Sequence, residues 1–168
     1  MQKNVTVVLT QATDTRPFLS TLQGYASQNY RNFEVVVLAA EPLTLPDGDW
    51  FFKLTPCVPP ELVSYLQATT TDYLVFADAY AIPRYDFVEE HIKNREEGFY
   101  LTGARFFVQT AIWNQLKVTD IESGSCFQKA FLEQHGATSG ISVFRPIQPG
   151  TWAAFLDRTL LCLDFNFS

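Results

Sequence analysis

The sequence of 168 residues predicts an α/β domain, an open and mostly parallel sheet with helices on both faces. Three observations lead there. Through residues 1–109, short runs rich in β-branched residues alternate with segments whose apolar positions recur every three or four residues. One run, Phe33–Ala40 (FEVVVLAA), is apolar almost without interruption, as in strands covered on both faces. The composition, 47% hydrophobic and 18% charged, excludes a disordered chain and supplies one ordinary core without disulfide or metal staples. Residues 1–168 therefore read as a single domain.

Val5–Leu9 is β-branched and bounded by polar residues, which predicts a buried first strand. Pro17 suits a first helical turn, and Phe18, Leu19, Leu22, Tyr25 and Ala26 follow at helical spacing, so a helix of about three turns comes next. Asn29–Asn32 breaks it before the second strand, Phe33–Ala40, and the resulting βαβ unit should cross over right-handed. Glu41–Asp49 holds Pro42, Pro46 and Gly48 and predicts a surface connection; Trp50–Leu54 predicts a short strand. Pro59-Pro60 opens a helix with an apolar stripe at Leu62, Val63, Tyr65 and Leu66, which ends at Thr69–Asp72 before a third buried strand, Tyr73–Ala77. Pro83–Gly98 predicts an amphipathic helix carrying Phe87, Val88, His91 and Ile92 and closed by its glycine, and Tyr100–Gln109 predicts a further strand. From Thr110 onward the signals thin out. Trp113 and Leu116 fit a short helix, Gly124, Gly136 and Gly140 mark turns, Ile141–Phe144 fits a strand, and Trp152–Leu163 fits a final helix.

Eighteen acidic residues against twelve basic ones give a formal charge of −6, which argues against nucleic acid held chiefly by phosphate neutralisation. Cys57, Cys126 and Cys162 are odd in number and widely spaced, with no CxxC pair, so reduced thiols in a cytoplasmic protein are expected. The apolar run Val5–Leu9 is too short for a signal-peptide core or a membrane span, so no transmembrane segment is expected; a position peripheral to a membrane stays open. Aromatics make up 15% of the chain, more than a small core needs, which suits a groove or an interface.

In parallel α/β sheets ligands gather beyond the carboxyl ends of the strands, which makes the polar residues there the candidates for chemistry. They are Thr10, Gln11, Thr13 and Asp14 after the first strand, Glu41 after the second, Asp78 after Tyr73–Ala77, and Gln109 after the strand that follows. Asp78 is the strongest. A carboxylate at the exposed end of a buried strand can hold a hard divalent cation through oxygen, and the cation can neutralise a diphosphate leaving group. The competing role for Asp78 is a turn residue bonded to its own backbone. Asp14 equally suits a helix cap and Glu41 a solvated loop, while Arg145 suits either a bidentate phosphate contact or a surface ion pair. No GxGxxG follows a strand and no Walker lysine loop is present. Ser123-Gly124-Ser125-Cys126 and His135 offer nucleophile and base types, but no strand–turn–helix elbow frames them. His91 lies on the inner stripe of its helix and reads as a core histidine; two distant histidines make no zinc site.

Several separate segments resemble family 2 glycosyltransferases of the GT-A fold. Val5–Pro42 looks like that family's opening strand, helix and second strand, including Gln28, Tyr30, Asn32, Phe33 and Glu34. Asp72–Ile92 (DYLVFADAYAIPRYDFVEEHI) looks like its strand, metal-binding DxD turn and following helix, with Pro83, Asp86 and Phe87 at the helix start. Ala137–Pro146 (ATSGISVFRP) is similar to its acceptor-side strand. The resemblance implies a nucleotide-binding half at 1–109 and a shortened acceptor half at 110–168. It implies transfer of a sugar from a nucleotide-sugar donor to an acceptor, with Asp78 holding Mg²⁺ or Mn²⁺, Thr10, Asp14 and Glu41 around the nucleotide, and Arg145 on the acceptor side. The sequence departs from the family at three places. Ala39-Ala40 stand where the second strand usually ends in aspartates, Tyr80 replaces the second carboxylate of the DxD turn, and Asp157 and Asp164 are the only carboxylates left to act as catalytic base. A domain that keeps the scaffold as a binding or assembly module is therefore the alternative. The aromatic C-terminus, Leu163–Phe167, would then dock on a partner protein or a second copy.

Overall fold

The computed structural model describes residues 3–10, 16–41, 43–97, 99, 101 and 110–135. Strands β1 (Val5–Thr10), β2 (Phe33–Leu38), β3 (Leu54–Cys57) and β4 (Tyr73–Asp78) form one parallel sheet in the order β3-β2-β1-β4. Val5 pairs with Phe33 on one side and Tyr73 on the other, and the register runs unbroken to Thr10, which faces Leu38 and Asp78. Every residue of β1 from Val5 to Leu9 is buried, as a central strand covered on both faces requires.

Side chains alternate between two layers along each strand. On one face Val5, Val7 and Leu9 of β1 and Val35 and Val37 of β2 pack against helices α1 (Arg16–Ala26) and α3 (Phe87–Asn94), which contribute Phe18, Leu22, Tyr25 and Val88. On the other, Val8, Val36 and Cys57 lie beneath Leu62 and Tyr65 of helix α2 (Leu62–Ala68). Polar groups fasten α2 to this second face: the Tyr65 hydroxyl donates to Glu34 Oε2 at 3.1 Å, and Thr6 donates to Glu34 Oε1 at 3.0 Å. Helices α4 (Thr110–Gln115), α5 (Val118–Glu122) and α6 (Lys129–Gln134) follow, and α5 packs against α1.

The structure corrects the expected elements at several points. The strand expected at Trp50–Leu54 begins only at Leu54. The aromatic residues before it stack instead, Phe52 on Phe33 at 5.3 Å and Trp50 on Phe52 at 5.9 Å. Pro56 is accommodated because β3 borders only β2 among the described residues. The helix expected over Pro83–Gly98 is confined to Phe87–Asn94. Its start is delayed by a turn in which the Phe87 N–H bonds to the Arg84 carbonyl at 2.9 Å, and its end is set by extended backbone at Arg95. α5 and α6 form where the sequence shows only turn signals, and Gly124 between them takes a left-handed φ of 70°. The expected strand Tyr100–Gln109, apart from Leu101, and the expected elements Ile141–Phe144 and Trp152–Leu163 lie outside the described residues. No helix among the described residues is long and apolar enough to cross a membrane.

Candidate functional site at the carboxyl edge of the sheet

The chain leaves β1 for β2 on one side and later enters β4 on the other, so the strand order reverses its sense between β1 and β4. A crevice at such a switch point is where open parallel sheets bind ligands. Thr10 and Asp78 are the last residues of these two strands and are direct partners across them. Thr10 closes the pair, its hydroxyl donating to the Ala77 carbonyl at 3.3 Å while its own carbonyl accepts the Ala79 N–H at 3.0 Å. Glu41 is exposed three residues beyond Leu38, the partner of Thr10 on the opposite side. Three of the residues singled out in the sequence thus share one edge of the sheet. Asp14, Arg145, Asp157 and Asp164 lie outside the described residues.

Asp78 is half-buried, and its Oδ1 accepts the Tyr80 N–H at 2.8 Å. This is the turn role anticipated for it. A carboxylate offers about four acceptor positions, and this backbone bond takes one of them. The two residues after Asp78 bring no carboxylate: Ala79 is fully buried, and Tyr80 packs against the main core. No group of three or more His, Cys, Asp and Glu side chains able to hold a metal occurs among the described residues. A cation held at this edge would need water and phosphate ligands beside one or two carboxylates, as magnesium takes, since the described residues make no all-protein cage.

The loop after Asp78 is held by residues the sequence marked for resemblance alone. Gln28 is fully buried; its amide nitrogen donates to the carbonyls of Gly24 at 3.1 Å and Arg84 at 2.7 Å, and its Oε1 accepts the Val88 N–H at 3.0 Å. One side chain therefore ties α1, the Ala79–Asp86 loop and the start of α3 together. Tyr30 and Asn32 act likewise at the opposite edge, donating to the Lys3 carbonyl at 2.6 and 2.9 Å. Arg84, the cation of the loop, is held bidentately by Asp86, with Nε–Oδ1 2.5 Å and Nη2–Oδ2 2.6 Å, and this pairing raises its pKa further. At the end of β2 the Ala39 N–H bonds to the Cys57 carbonyl at 3.1 Å, and Ala39-Ala40 bring no polar side chain.

Among the described residues, the nucleophile types noted in the sequence are poorly placed for catalysis. Burial, reinforced by Asp120, pushes the Cys126 thiol up to about 11, and burial followed by the charge of Glu61 raises that of Cys57. Ser125 donates to the Asp120 carbonyl, while His135, just past α6, directs Nδ1 at the Phe131 carbonyl 2.8 Å away, one turn back. His91 is half-buried with its ring edge-on to Phe87 at 4.7 Å, and burial lowers its pKa, in keeping with a core role.

No family model, no curated protein and no solved structure matches this chain.

Proposed function

We propose that this chain is a GT-A-like domain that binds a nucleotide-sugar donor at the switch point between β1 and β4 and transfers the sugar to an acceptor. The observation that carries the reading is the pairing of Thr10 with Asp78 at the carboxyl ends of the two strands flanking that switch point. The resemblance of Val5–Pro42 and Asp72–Ile92 to family 2 glycosyltransferases supports it. Asp78 would hold Mg²⁺ or Mn²⁺, which would supply charge neutralisation for a departing diphosphate. Thr10, Asp14 and Glu41 would border the nucleotide, Arg145 the acceptor, and Asp157 or Asp164 would serve as base.

A second reading, a catalytically inactive scaffold of the same fold, is favoured by the packing of Tyr80 into the core and by Ala39-Ala40. Calorimetric titration with UDP, GDP, CDP and TDP in the presence of Mn²⁺ tests the proposal. The expected result is metal-dependent binding of one of them, weakened about tenfold or more, 1.4 kcal/mol, by Asp78→Ala. Binding of none of the four, or equal binding by the variant, contradicts it. Binding without sugar transfer or donor hydrolysis selects the inactive scaffold.

A further inference from the structure

The chain crosses from β3 to β4 over the second face of the sheet as α2, and this helix is held differently from those on the first face. α1 buries Phe18, Leu22 and Tyr25, and α3 buries Val88. In α2 every residue is half-buried or exposed: Leu62, Tyr65 and Leu66 are half-buried, and Val63 is 63% exposed. With 7 residues it is also short of the roughly 12–15 that an isolated helix needs to persist. Its place is set by a circuit of side-chain bonds. The Tyr65 hydroxyl donates to Glu34 Oε2 and Thr6 donates to Glu34 Oε1. The hydroxyls of Thr6 and Thr71 are 2.7 Å apart, those of Thr71 and Thr69 are 3.0 Å apart, and Thr69 donates to the Leu66 carbonyl at 3.1 Å. The circuit leaves α2 at Tyr65 and returns to it at Leu66, with the Glu34 carboxylate in between. Bonds to a carboxylate are the strong members of such a set.

We infer that α2 opens from the sheet as a unit, with the Tyr65–Glu34 bond as its latch, while the four strands stay paired. The backbone is extended on both sides of the segment, at Val58 and at Thr69, and these positions serve as hinges. Local openings of this kind draw on the elements that bury the least apolar surface. The motion has a reporter in Cys57, which is 6% exposed, packs with Val8 and Val36 beneath Leu62 and Tyr65, and is uncovered when α2 lifts.

Alkylation of Cys57 by dilute N-ethylmaleimide tests the inference in the full chain, with peptide mapping to separate it from the other cysteines and with urea raised stepwise below the unfolding transition. The free energy of the opening that admits the reagent should fall with urea much less steeply than that of global unfolding, because less surface is exposed. Tyr65→Phe, which removes the latch and keeps the ring, should speed the reaction about tenfold or more. Three results would overturn the inference: reaction of Cys57 with the full urea dependence of global unfolding, reaction of the wild type as fast as a free thiol, or an unchanged rate in Tyr65→Phe.

Discussion

Gln28 shows how much one buried polar side chain can hold. It satisfies the Arg84 carbonyl and the Val88 N–H at once, and both belong to the segment that follows Asp78. Gln28→Leu keeps the volume but leaves those backbone groups unpaired, so it should destabilise the fold by about 2–3 kcal/mol in urea unfolding. His91 gives a prediction with a sign. Burial lowers its folded pKa below the ordinary 6.5, so the unfolded chain takes up the proton first as pH falls. Its contribution is complete above that ordinary value and declines as the pH drops below it toward the depressed folded value. Wild type should therefore lose unfolding free energy on moving from about pH 7.5 to about pH 5, and His91→Gln should lose measurably less.

The strands and helices of the first half were legible because their apolar periods are long and undivided. Val5–Leu9, Phe33–Ala40 and Tyr73–Ala77 all appear within one or two residues of their expected limits. Trp50–Leu54 misled because a run of aromatics suits a strand and an aromatic stack equally, and Phe33 decided for the stack. α3 misled because Pro83 can open a helix, yet Gln28 and the Arg84–Asp86 pair hold Pro83–Asp86 as a turn. Contacts between distant segments leave no periodic trace. The same holds for Gly24, where a Cβ would stand 2.7 Å from Pro83 Cδ and 3.1 Å from the Pro83 carbonyl oxygen. Alanine is the better helix former by about 1 kcal/mol, but here it must displace backbone. Gly24→Ala should therefore cost a net of about 1–2 kcal/mol in the same unfolding assay.

In the molecule as a whole, the candidate site is a product of strand order. The sequence identified Thr10 and Asp78 as polar residues at strand ends, but only the order β3-β2-β1-β4 makes them neighbours across a switch point. The packing of Tyr80 into the core was not legible, because a residue after a turn carries no mark of the layer it will join. β4 rises about 3.3 Å per residue, so its two ends are separated by about 17 Å, enough to distinguish a ligand at one from a ligand at the other. The most direct test is the loss of amide signals near bound Mn²⁺ in NMR spectra recorded with UDP, GDP, CDP and TDP in turn. With one of the four, the amides of Thr10, Ala79 and Tyr80 should broaden first, while those of Asn4, Asp72 and Tyr73 at the far end keep their intensity. Broadening centred at that far end, or none at Thr10 and Ala79 with any of the four, would contradict a nucleotide site between β1 and β4.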